Sequence, residues 1–406
     1  MTAGERGGSQ SQNVSPLRLP LSQSRLVVLT HYLPPYMQRV LEHVAESVPQ
    51  TQVLLSIPLE PNRNFAVDWG SLNVQVQKSL MMRGAWRHRV GFKDELFIHI
   101  PYDTYRQLRR RQPDLILSYE LGFRSLISAI YRRTHPSCRL ALCVCVSEHT
   151  ESGRGGSRWL LRRALAKMAD AVTYNGPSCR RYLTGLDVPD NRLFHFPYAA
   201  DDRTTPPSAS NVTLVTSQRG NFNEVNRRLL IVGQLNARKG IHPFFDALES
   251  YCRQNPDVSW DLTLIGAGPL EESLRSRPLP PNLCCQITGS RPPEQLASEW
   301  SDYGVLVFPT LADEWGLVVN EAMRAGLPVI GSCYAQASTT LIQEDRNGWI
   351  YSPDHPEQLH AKLDALRRLS PNEMWAMRDR ARSSVAHITS QSAAHLACDM
   401  FRAMLR

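Results

Sequence analysis

The stretch Asp313–Ser332, DEWGLVVNEAMRAGLPVIGS, combines a strand exit, an acidic loop, the start of a helix and its end within twenty residues. The run Val305–Phe308 before it is apolar, short and closed by a proline, which is typical of a strand buried on both faces of a parallel sheet. Gly316 opens a segment with helical spacing, and Gly326 with the proline that follows predicts its end. The stretch therefore predicts the strand, loop and helix of an α/β fold.

The loop in this stretch lies at the carboxyl end of a predicted strand. Open α/β sheets bind ligands there, because helix N-termini present unpaired N–H groups to anions. We expect the N–H groups of Gly316, Leu317 and Val318 to face a phosphate or a sugar oxygen. Asp313 and Glu321 offer carboxylates to sugar or ribose hydroxyls. Acidic residues near a helix start also complement the helix dipole without any ligand, so the residues alone leave both interpretations open.

The same stretch resembles the signature of the retaining glycosyltransferases of the GT-B fold, family four (glycosyl transferases group 1). That signature reads Glu, seven residues, Glu, and then Ala-Met-x-x-Gly-x-Pro-Val-Ile. Here Glu321 is the second carboxylate and Asp313 stands at the first position, with Glu314 one place too late. The resemblance implies an α/β chain of two facing Rossmann-like domains with an interdomain cleft. It also implies that Asp313 holds sugar hydroxyls and that Glu321 holds the ribose diol.

The segment Gly233–Gly240, GQLNARKG, resembles the family's first loop, in which cations bind the donor diphosphate. Lys239 matches that pattern, with Arg238 beside it, whereas Gln234 stands where arginine is common. A lysine at a helix start is otherwise an exposed side chain with no ligand. By the resemblance, Lys239 would stabilise the leaving diphosphate.

Two further glycines and a histidine follow predicted strands at places that the family uses. Gly266 and Gly289 resemble glycines near the donor nucleotide. His149 would help to hold the donor sugar and the forming charge, or it is a surface histidine in a polar loop. Gly266 also belongs to a lone G-x-G, but Glu271 occupies the place of the third glycine, which makes a nicotinamide-dependent oxidoreductase the poorer hypothesis.

The length of 406 residues predicts two domains rather than one core. Strand and helix patterns alternate in both halves, as in doubly wound parallel sheets. We divide the chain into a disordered tail at 1–24, an acceptor-binding domain at 25–201, a linker or insertion at 202–226, a nucleotide-sugar domain at 227–388, and a C-terminal helix at 389–406. By the resemblance, that helix crosses back to the first domain.

Composition limits the partners. A net charge of +8 favours nucleotide sugars, acidic lipid surfaces or nucleic acid, and zinc-finger, RNP and homeodomain patterns are missing, which argues against nucleic acid. Nine scattered cysteines fit neither a disulfide framework nor metal-ligand spacing and indicate a reducing compartment. The sequence has neither an apolar leader nor a run long enough to span a bilayer. We therefore expect a cytoplasmic protein, with peripheral contact at the inner membrane face left open.

Three basic segments are candidates for that contact or for an acceptor surface: Met82–Lys93, Arg106–Arg111 and the amphipathic helix Ser157–Met168. Each is also explained as a solvated charged face. The first loop carries Pro34–Tyr36 where the family often has a Gly-Gly pair, which weakens the expectation of a phosphate contact there.

Together these patterns predict a retaining glycosyltransferase that moves a sugar from a nucleotide-sugar donor to an acceptor hydroxyl in glycan, glycolipid or polysaccharide biosynthesis. The resemblance implies that neither a metal nor a cofactor is required, and the acceptor remains a glycan, a lipid-linked sugar or a small molecule. The departures at Gln234 and Asp313 keep an alternative open: a catalytically silent module of the same fold that binds a sugar nucleotide or a glycan.

Overall fold

The chain folds into two α/β domains in a computed structural model that describes residues 19–61, 67–201 and 226–406. The first domain contains strands β1 (Arg25–Thr30), β2 (Gln50–Leu55), β3 (Asn73–Val76), β4 (Ser79–Arg87), β5 (Lys93–Pro101), β6 (Leu115–Tyr119), β7 (Arg139–Cys143), β8 (Ala171–Tyr174) and β9 (Leu193–His195). Its helices are α1 (Pro35–Ser47), α2 (Thr104–Arg111), α3 (Phe123–Thr134), α4 (Glu148–Glu151), α5 (Gly156–Met168) and α6 (Pro177–Gly185).

The second domain contains strands β10 (Arg228–Val232), β11 (Trp260–Ile265), β12 (Leu283–Ile287), β13 (Val305–Phe308), β14 (Val329–Ser332) and β15 (Gly348–Tyr351). Its helices are α7 (Ile241–Gln254), α8 (Glu271–Arg275), α9 (Pro293–Glu299), α10 (Leu317–Arg324), α11 (Gln336–Leu341), α12 (Pro356–Arg368) and α13 (Pro371–Val385), and the chain ends in α14 (Ser390–Met404). Helix α14 follows α13 of the second domain and packs against α1 of the first.

Both main sheets are parallel and doubly wound. The first has the order β3-β2-β1-β6-β7-β8-β9 and the second the order β12-β11-β10-β13-β14-β15. The central strands are apolar without alternation because helices cover both faces, and β13 is buried along its whole length. In each sheet the strand order reverses beside β1 or β10, so the loops at their carboxyl ends open onto a crevice.

The structure corrects the predicted boundary at the start of the fold. The predicted tail included residues 19–24, but Leu21–Gln23 form a 3₁₀ turn, and Leu21 is only 8% exposed and packs in the core. An apolar side chain in a polar, proline-rich stretch was sufficient to anchor it. Residues 1–18 of the predicted tail and 202–225 of the predicted linker lie outside the described residues, whereas Asn226 is buried in the second domain.

A second correction concerns the basic segment Met82–Lys93. The sequence predicted no secondary structure for it, whereas the structure shows the turn and the adjoining strand ends of an antiparallel hairpin of β4 and β5, which belongs to neither main sheet. Its turn carries His88 and Phe92, which are buried and stack on each other with ring centroids 4.8 Å apart. No helix in the described part of the chain is long and apolar enough to cross a membrane.

Candidate functional site

A cavity of about 560 Å³ lies between the two domains, at the carboxyl ends of both sheets. We call its two sides the first-domain wall and the second-domain wall. The first-domain wall consists of His31, Tyr32, Pro34, Tyr36, Met37, Tyr119, Glu120, Cys143, Cys145 and Tyr198. The second-domain wall consists of Val232, Gly233, Gln234, Arg238, Lys239, Asp313, Glu314, Trp315, Gly316, Leu317, Val318 and Glu321. Nine of the residues proposed from the sequence are therefore brought together on one wall.

The turn that carries Lys239 is fixed from both ends. The backbone N–H of Lys239 donates to the Asn236 side chain over 3.2 Å, which caps the 3₁₀ turn Ala237–Lys239. Gly240 ends the turn with φ at +65°, and a Cβ there would lie 2.1 Å from the carbonyl oxygen of Pro309. Only glycine fits this contact, so the lysine is held close to the end of β13.

Lys239 and Asp313 form an ion pair at the centre of this wall. The Lys239 Nζ lies 2.6 Å from Asp313 Oδ2, and Arg238 Nη1 lies 3.5 Å from the same oxygen. Burial lowers the pKa of Lys239 despite the opposing carboxylate. Burial alone would raise the pKa of Asp313, but the charges of Lys239 and Arg238 hold it below its usual value. Two cations thus lie within 3.5 Å of one carboxylate oxygen.

Gly316 places the start of α10 against the cavity. Its φ is +101°, and a Cβ there would lie 2.4 Å from the Phe308 ring. Leu317 and Val318 follow as the first residues of α10 and line the cavity. The Nζ of Lys239 lies 5.0 Å from the centroid of the same Phe308 ring, so the helix start and the lysine converge. Unpaired N–H groups at a helix start and a nearby lysine are a suitable arrangement for a phosphate.

Glu321 lies one turn further along α10 and faces the cavity. Burial, together with the neighbouring carboxylate of Asp201, raises the pKa of Glu321 to about 7. A carboxyl group with this pKa is half ionised near neutral pH. A ligand whose hydroxyl groups donate to it would favour the ionised form.

The loop between Asp313 and Gly316 also joins the two domains. The backbone carbonyl of Glu314 accepts hydrogen bonds from Gln336 Nε2 at 2.9 Å and from Asn175 Nδ2 at 3.3 Å. Gln336, which is buried, also donates to Asn175 Oδ1 and accepts from the N–H of Cys179. Since Asn175 and Cys179 belong to the first domain, this loop is held by both sides of the cleft. The side chain of Glu314 lines the cavity as well, beside the predicted Asp313.

His149 lies at the domain junction, outside the cavity wall. Its Nε2 is 2.9 Å from the carbonyl oxygen of Leu311, and its ring stacks on Tyr334 with centroids 4.2 Å apart. The N-terminus of α4 holds it there through a capping box formed by Ser147 and Thr150. The structure therefore places His149 against the loop that carries Asp313, and its role at the donor sugar stays a prediction.

Gly266 and Gly289 also lie outside the cavity wall, behind the loop at Gly233. The Gly266 N–H donates to the Gly289 carbonyl oxygen over 2.9 Å, and a Cβ on Gly266 would lie 1.8 Å from the Gly233 carbonyl oxygen. Gly266 thus supports the Gly233 loop through backbone contact. Neither glycine reaches the cavity, and donor contacts at these two positions stay predictions.

The first-domain wall contains a polar network that the sequence did not reveal. The Glu120 carboxylate is held by Arg124 Nη2 at 3.0 Å and lies 3.5 Å from His31 Nδ1. Behind them, Arg124 Nη1 donates to Ser56 over 2.9 Å, and Glu60 lies 3.4 Å from His99. Burial lowers the pKa of His31, so its imidazole is neutral near pH 7.

Backbone geometry also distinguishes Glu120. Its φ is +68°, a left-handed conformation that costs a residue other than glycine about 1 kcal/mol or more. The Glu120 N–H donates to the carbonyl oxygen of Cys143 over 2.8 Å, which holds this conformation at the end of β6. The strained residue therefore presents its carboxylate to the cavity.

Among the residues that the structure describes, no cluster of three or more His, Cys, Asp or Glu side chains has metal-binding geometry.

A comparison with protein families finds a match in the second domain. Residues 226–368 match the family model of the glycosyl transferases group 1. The second domain is a group 1 glycosyl transferase domain. The matched range contains the whole second-domain wall of the cavity. The match confirms the family resemblance for this half of the chain.

Two curated relatives match part of the chain. The putative colanic acid biosynthesis glycosyltransferase WcaL of Escherichia coli is 25% identical over 173 residues, which cover 40% of this chain and 41% of that protein. The sulfoquinovosyl transferase SQD2 of Arabidopsis thaliana is 30% identical over 132 residues, which cover 32% of this chain and 25% of that protein. The chain therefore matches less than half of the length of these relatives.

Solved structures extend the likeness to both domains. HepE of Anabaena in complex with UDP matches 93% of this chain and 99% of its own, with a TM-score of 0.67 and 15% identity. Sucrose-phosphate synthase of Thermosynechococcus elongatus matches 93% of this chain and 98% of its own, with a TM-score of 0.68 and 16% identity. At these identities the likeness concerns the fold, and it confirms the predicted GT-B architecture of two Rossmann-like domains around a cleft.

Proposed function

We propose that this protein is a glycosyltransferase that transfers a sugar from a nucleotide-sugar donor to an acceptor hydroxyl, with retention at the anomeric carbon. The observation that carries the proposal is the second-domain wall, where Lys239, Arg238 and the start of α10 surround one part of the cavity. This arrangement suits a diphosphate, since it offers fixed cations and backbone N–H groups to the same anion. The group 1 domain supports the assignment.

Each residue of this wall has a proposed role. Lys239, with Arg238, stabilises the charge that develops on the leaving diphosphate. Asp313 accepts hydrogen bonds from hydroxyls of the donor sugar, and its ion pair with Lys239 keeps both groups ionised and oriented. Glu321 accepts hydrogen bonds from the ribose diol, to which a carboxylate offers two oxygens. Glu314 is a second candidate for the sugar hydroxyls because its side chain lines the same cavity.

The first-domain wall is the proposed site of the acceptor. Its charged lining residue is Glu120, whose carboxylate is held from behind by the buried guanidinium of Arg124, while His31 is neutral. The wall therefore offers a carboxylate, a neutral imidazole and tyrosine hydroxyls, which suit hydroxyl groups. We propose an acceptor that presents uncharged hydroxyls there, on a glycan, a lipid-linked sugar or a small molecule, in glycan biosynthesis in the cytoplasm.

Donor hydrolysis and transfer test the proposal. UDP-glucose is the first donor to try, since one solved structure of the same fold is that of HepE with UDP-glucose. Proton NMR of the released sugar within the first minutes would show the α anomer if configuration is retained. Turnover of none of the UDP, GDP, ADP and dTDP sugars, alongside tight binding of one nucleotide, would instead support a silent sugar-nucleotide-binding module.

A further inference from the structure

The hairpin of β4 and β5 has two unlike faces. Side chains alternate across each strand, so Met81 and Arg83 share one face with their partners His99 and Phe97. His99 is buried, and its Nε2 lies 3.4 Å from Glu60 Oε1 behind the first-domain wall. At His99, this face of the hairpin packs on the first domain.

The other face of the hairpin is apolar and exposed. Its three outer rungs pair Leu80 with Ile100, Met82 with Ile98, and Gly84 with Leu96. The exposed fractions are 61% for Leu80, 55% for Met82 and 43% for Ile98. An antiparallel sheet that meets water on one face normally carries polar side chains there. A continuous apolar face on the surface instead marks a place where the protein meets an apolar partner.

Positive charge is concentrated around the same hairpin. Residues 78–111 contain nine lysines and arginines but only three acidic residues, so they supply most of the chain's net charge of +8. The exposed cations, which we call the border cations, lie in the hairpin or close before and after it in sequence: Lys78, Arg83, Arg87, Arg89, Lys93, Arg106, Arg109 and Arg110. Tyr102 is 60% exposed at the base, where its N–H donates to the Lys78 carbonyl oxygen over 3.1 Å. The apolar face thus belongs to the most basic stretch of the chain.

We propose that the apolar face formed by Leu80, Met82, Leu96, Ile98 and Ile100 docks on an anionic lipid surface. Apolar side chains would enter the acyl boundary while the border cations meet the anionic headgroups, as in interfacial membrane segments. A second copy of the chain fits less well, because the border cations of the two copies would then face each other. The proposal does not depend on glycosyl transfer, and it would bring the first-domain wall close to a lipid-linked acceptor.

Co-sedimentation of the full chain with vesicles tests the proposal. One set of vesicles is phosphatidylcholine alone, and the other is phosphatidylcholine with one third phosphatidylglycerol. The wild type should sediment with the anionic vesicles only, and added salt should release it because it screens the headgroup contacts. Substituting the border arginines (Arg106→Gln with Arg109→Gln and Arg110→Gln) should weaken binding and flatten its salt dependence.

A threonine variant isolates the apolar face. Replacing Leu80, Met82 and Ile98 by threonine keeps β propensity and should lower the vesicle partition coefficient by about tenfold or more. The matched control is Leu160→Gln with Leu161→Gln, since these side chains are 59% and 49% exposed on the basic helix α5. Circular dichroism and thermal melting show that each variant is folded.

Three outcomes would overturn the proposal. The first is a wild type that ignores anionic vesicles at low salt. The second is a folded threonine variant that binds like the wild type while the α5 variant loses binding, which would assign the contact to the helix. The third is a wild-type dimer that the threonine variant converts to a monomer with no change in vesicle binding, which would make the face a contact between copies.

Discussion

The two walls of the cleft are built in different ways. The second-domain wall comes mainly from two contiguous segments, 233–239 and 313–321, whose backbone geometry is set by nearby glycines. The side-chain network of the first-domain wall instead joins His31, Ser56, Glu60, His99 and Glu120 through contacts between distant segments. A site that uses backbone N–H groups has to be local in sequence, because a turn and a helix start supply them. A site that uses side chains alone can be gathered from any strand ends that the fold brings together.

The largest effect is expected for Lys239→Ala. It removes the lysine that faces the proposed diphosphate and leaves Asp313 buried with Arg238 as its remaining cation. Transition-state stabilisation should fall by roughly 3–4 kcal/mol, about a hundredfold to a thousandfold in donor turnover. The measurement is the initial rate of donor hydrolysis.

Lys362→Ala is the control for that variant, since Lys362 pairs with Glu344 on an exposed surface of the same domain. It should leave turnover unchanged. Equal rates of donor hydrolysis for Lys239→Ala and the wild type would contradict the proposal that Lys239 stabilises the leaving diphosphate.

Gly316→Ala should disrupt the second-domain wall through its backbone. The added Cβ would meet the Phe308 ring at 2.4 Å in a left-handed conformation, and we expect a loss of ~2–3 kcal/mol in the free energy of unfolding. Denaturant titration measures it. Gly185→Ala is the matched control, because a Cβ there meets no atom within 4 Å. If both variants are equally stable, the close approach at Gly316 is not what shapes the start of α10.

Glu321→Gln should change how stability depends on pH. The folded pKa of about 7 is raised above the ordinary value, so the folded state retains a proton that the unfolded state releases from about pH 4.3 upward. The stability due to this group is complete at low pH and is lost as pH rises through 7. At pH 8 the ligand-free variant should therefore be more stable than the wild type by about 3–4 kcal/mol, and at pH 4 the two should be similar.

Thermal melts across that pH range test the expectation. The wild type should also bind its nucleotide more tightly as pH rises through 7, because the ribose hydroxyls favour the carboxylate, and Glu321→Gln should lack this rise. If the melting temperatures of the two proteins change with pH in the same way, the result would contradict a buried, half-ionised Glu321.

Glu120→Gln should impair use of the acceptor without changing donor hydrolysis. It retains the shape of the side chain but removes the negative charge that Arg124 holds toward the cavity. We expect a loss of about 1 kcal/mol, or roughly fivefold to tenfold, in kcat/KM for the acceptor, while donor hydrolysis is unchanged. Glu148→Gln is the control, since Glu148 pairs with Arg181 on the surface of the same domain. A matching loss of donor hydrolysis in Glu120→Gln would mean that the walls do not divide donor from acceptor.

The sequence predicted the second domain well because its signals are local. The run at β13, the glycine before α10 and the stop at Gly326 each lie within a few residues of the structure that they determine. The same holds for the Lys239 turn, although its ion pair with Asp313 joins residues 74 positions apart and could not be seen from either segment.

The first-domain wall and the hairpin were missed for physical reasons. Glu120 lies just after a strand, as many surface residues do, so its position in the sequence does not indicate a site. Its left-handed backbone depends on a hydrogen bond to the carbonyl oxygen of Cys143 in another strand, which the sequence does not reveal. Apolar and polar residues do not alternate regularly in the hairpin, because Met81 stands beside Met82 and arginines interrupt the pattern. The period of two that predicts a strand is therefore not visible in the sequence. The apolar side chains of the hairpin also face outward, against the usual pattern.

Titration calorimetry of UDP, GDP, ADP and dTDP with the wild type and Lys239→Ala tests most directly whether the second-domain wall is a nucleotide site. We expect one of the four to bind in the micromolar range, with the heat of binding lost or greatly reduced in the variant. Binding of none of the four to the folded wild type, or equal binding to both proteins, would contradict the assignment of this wall to a nucleotide-sugar donor.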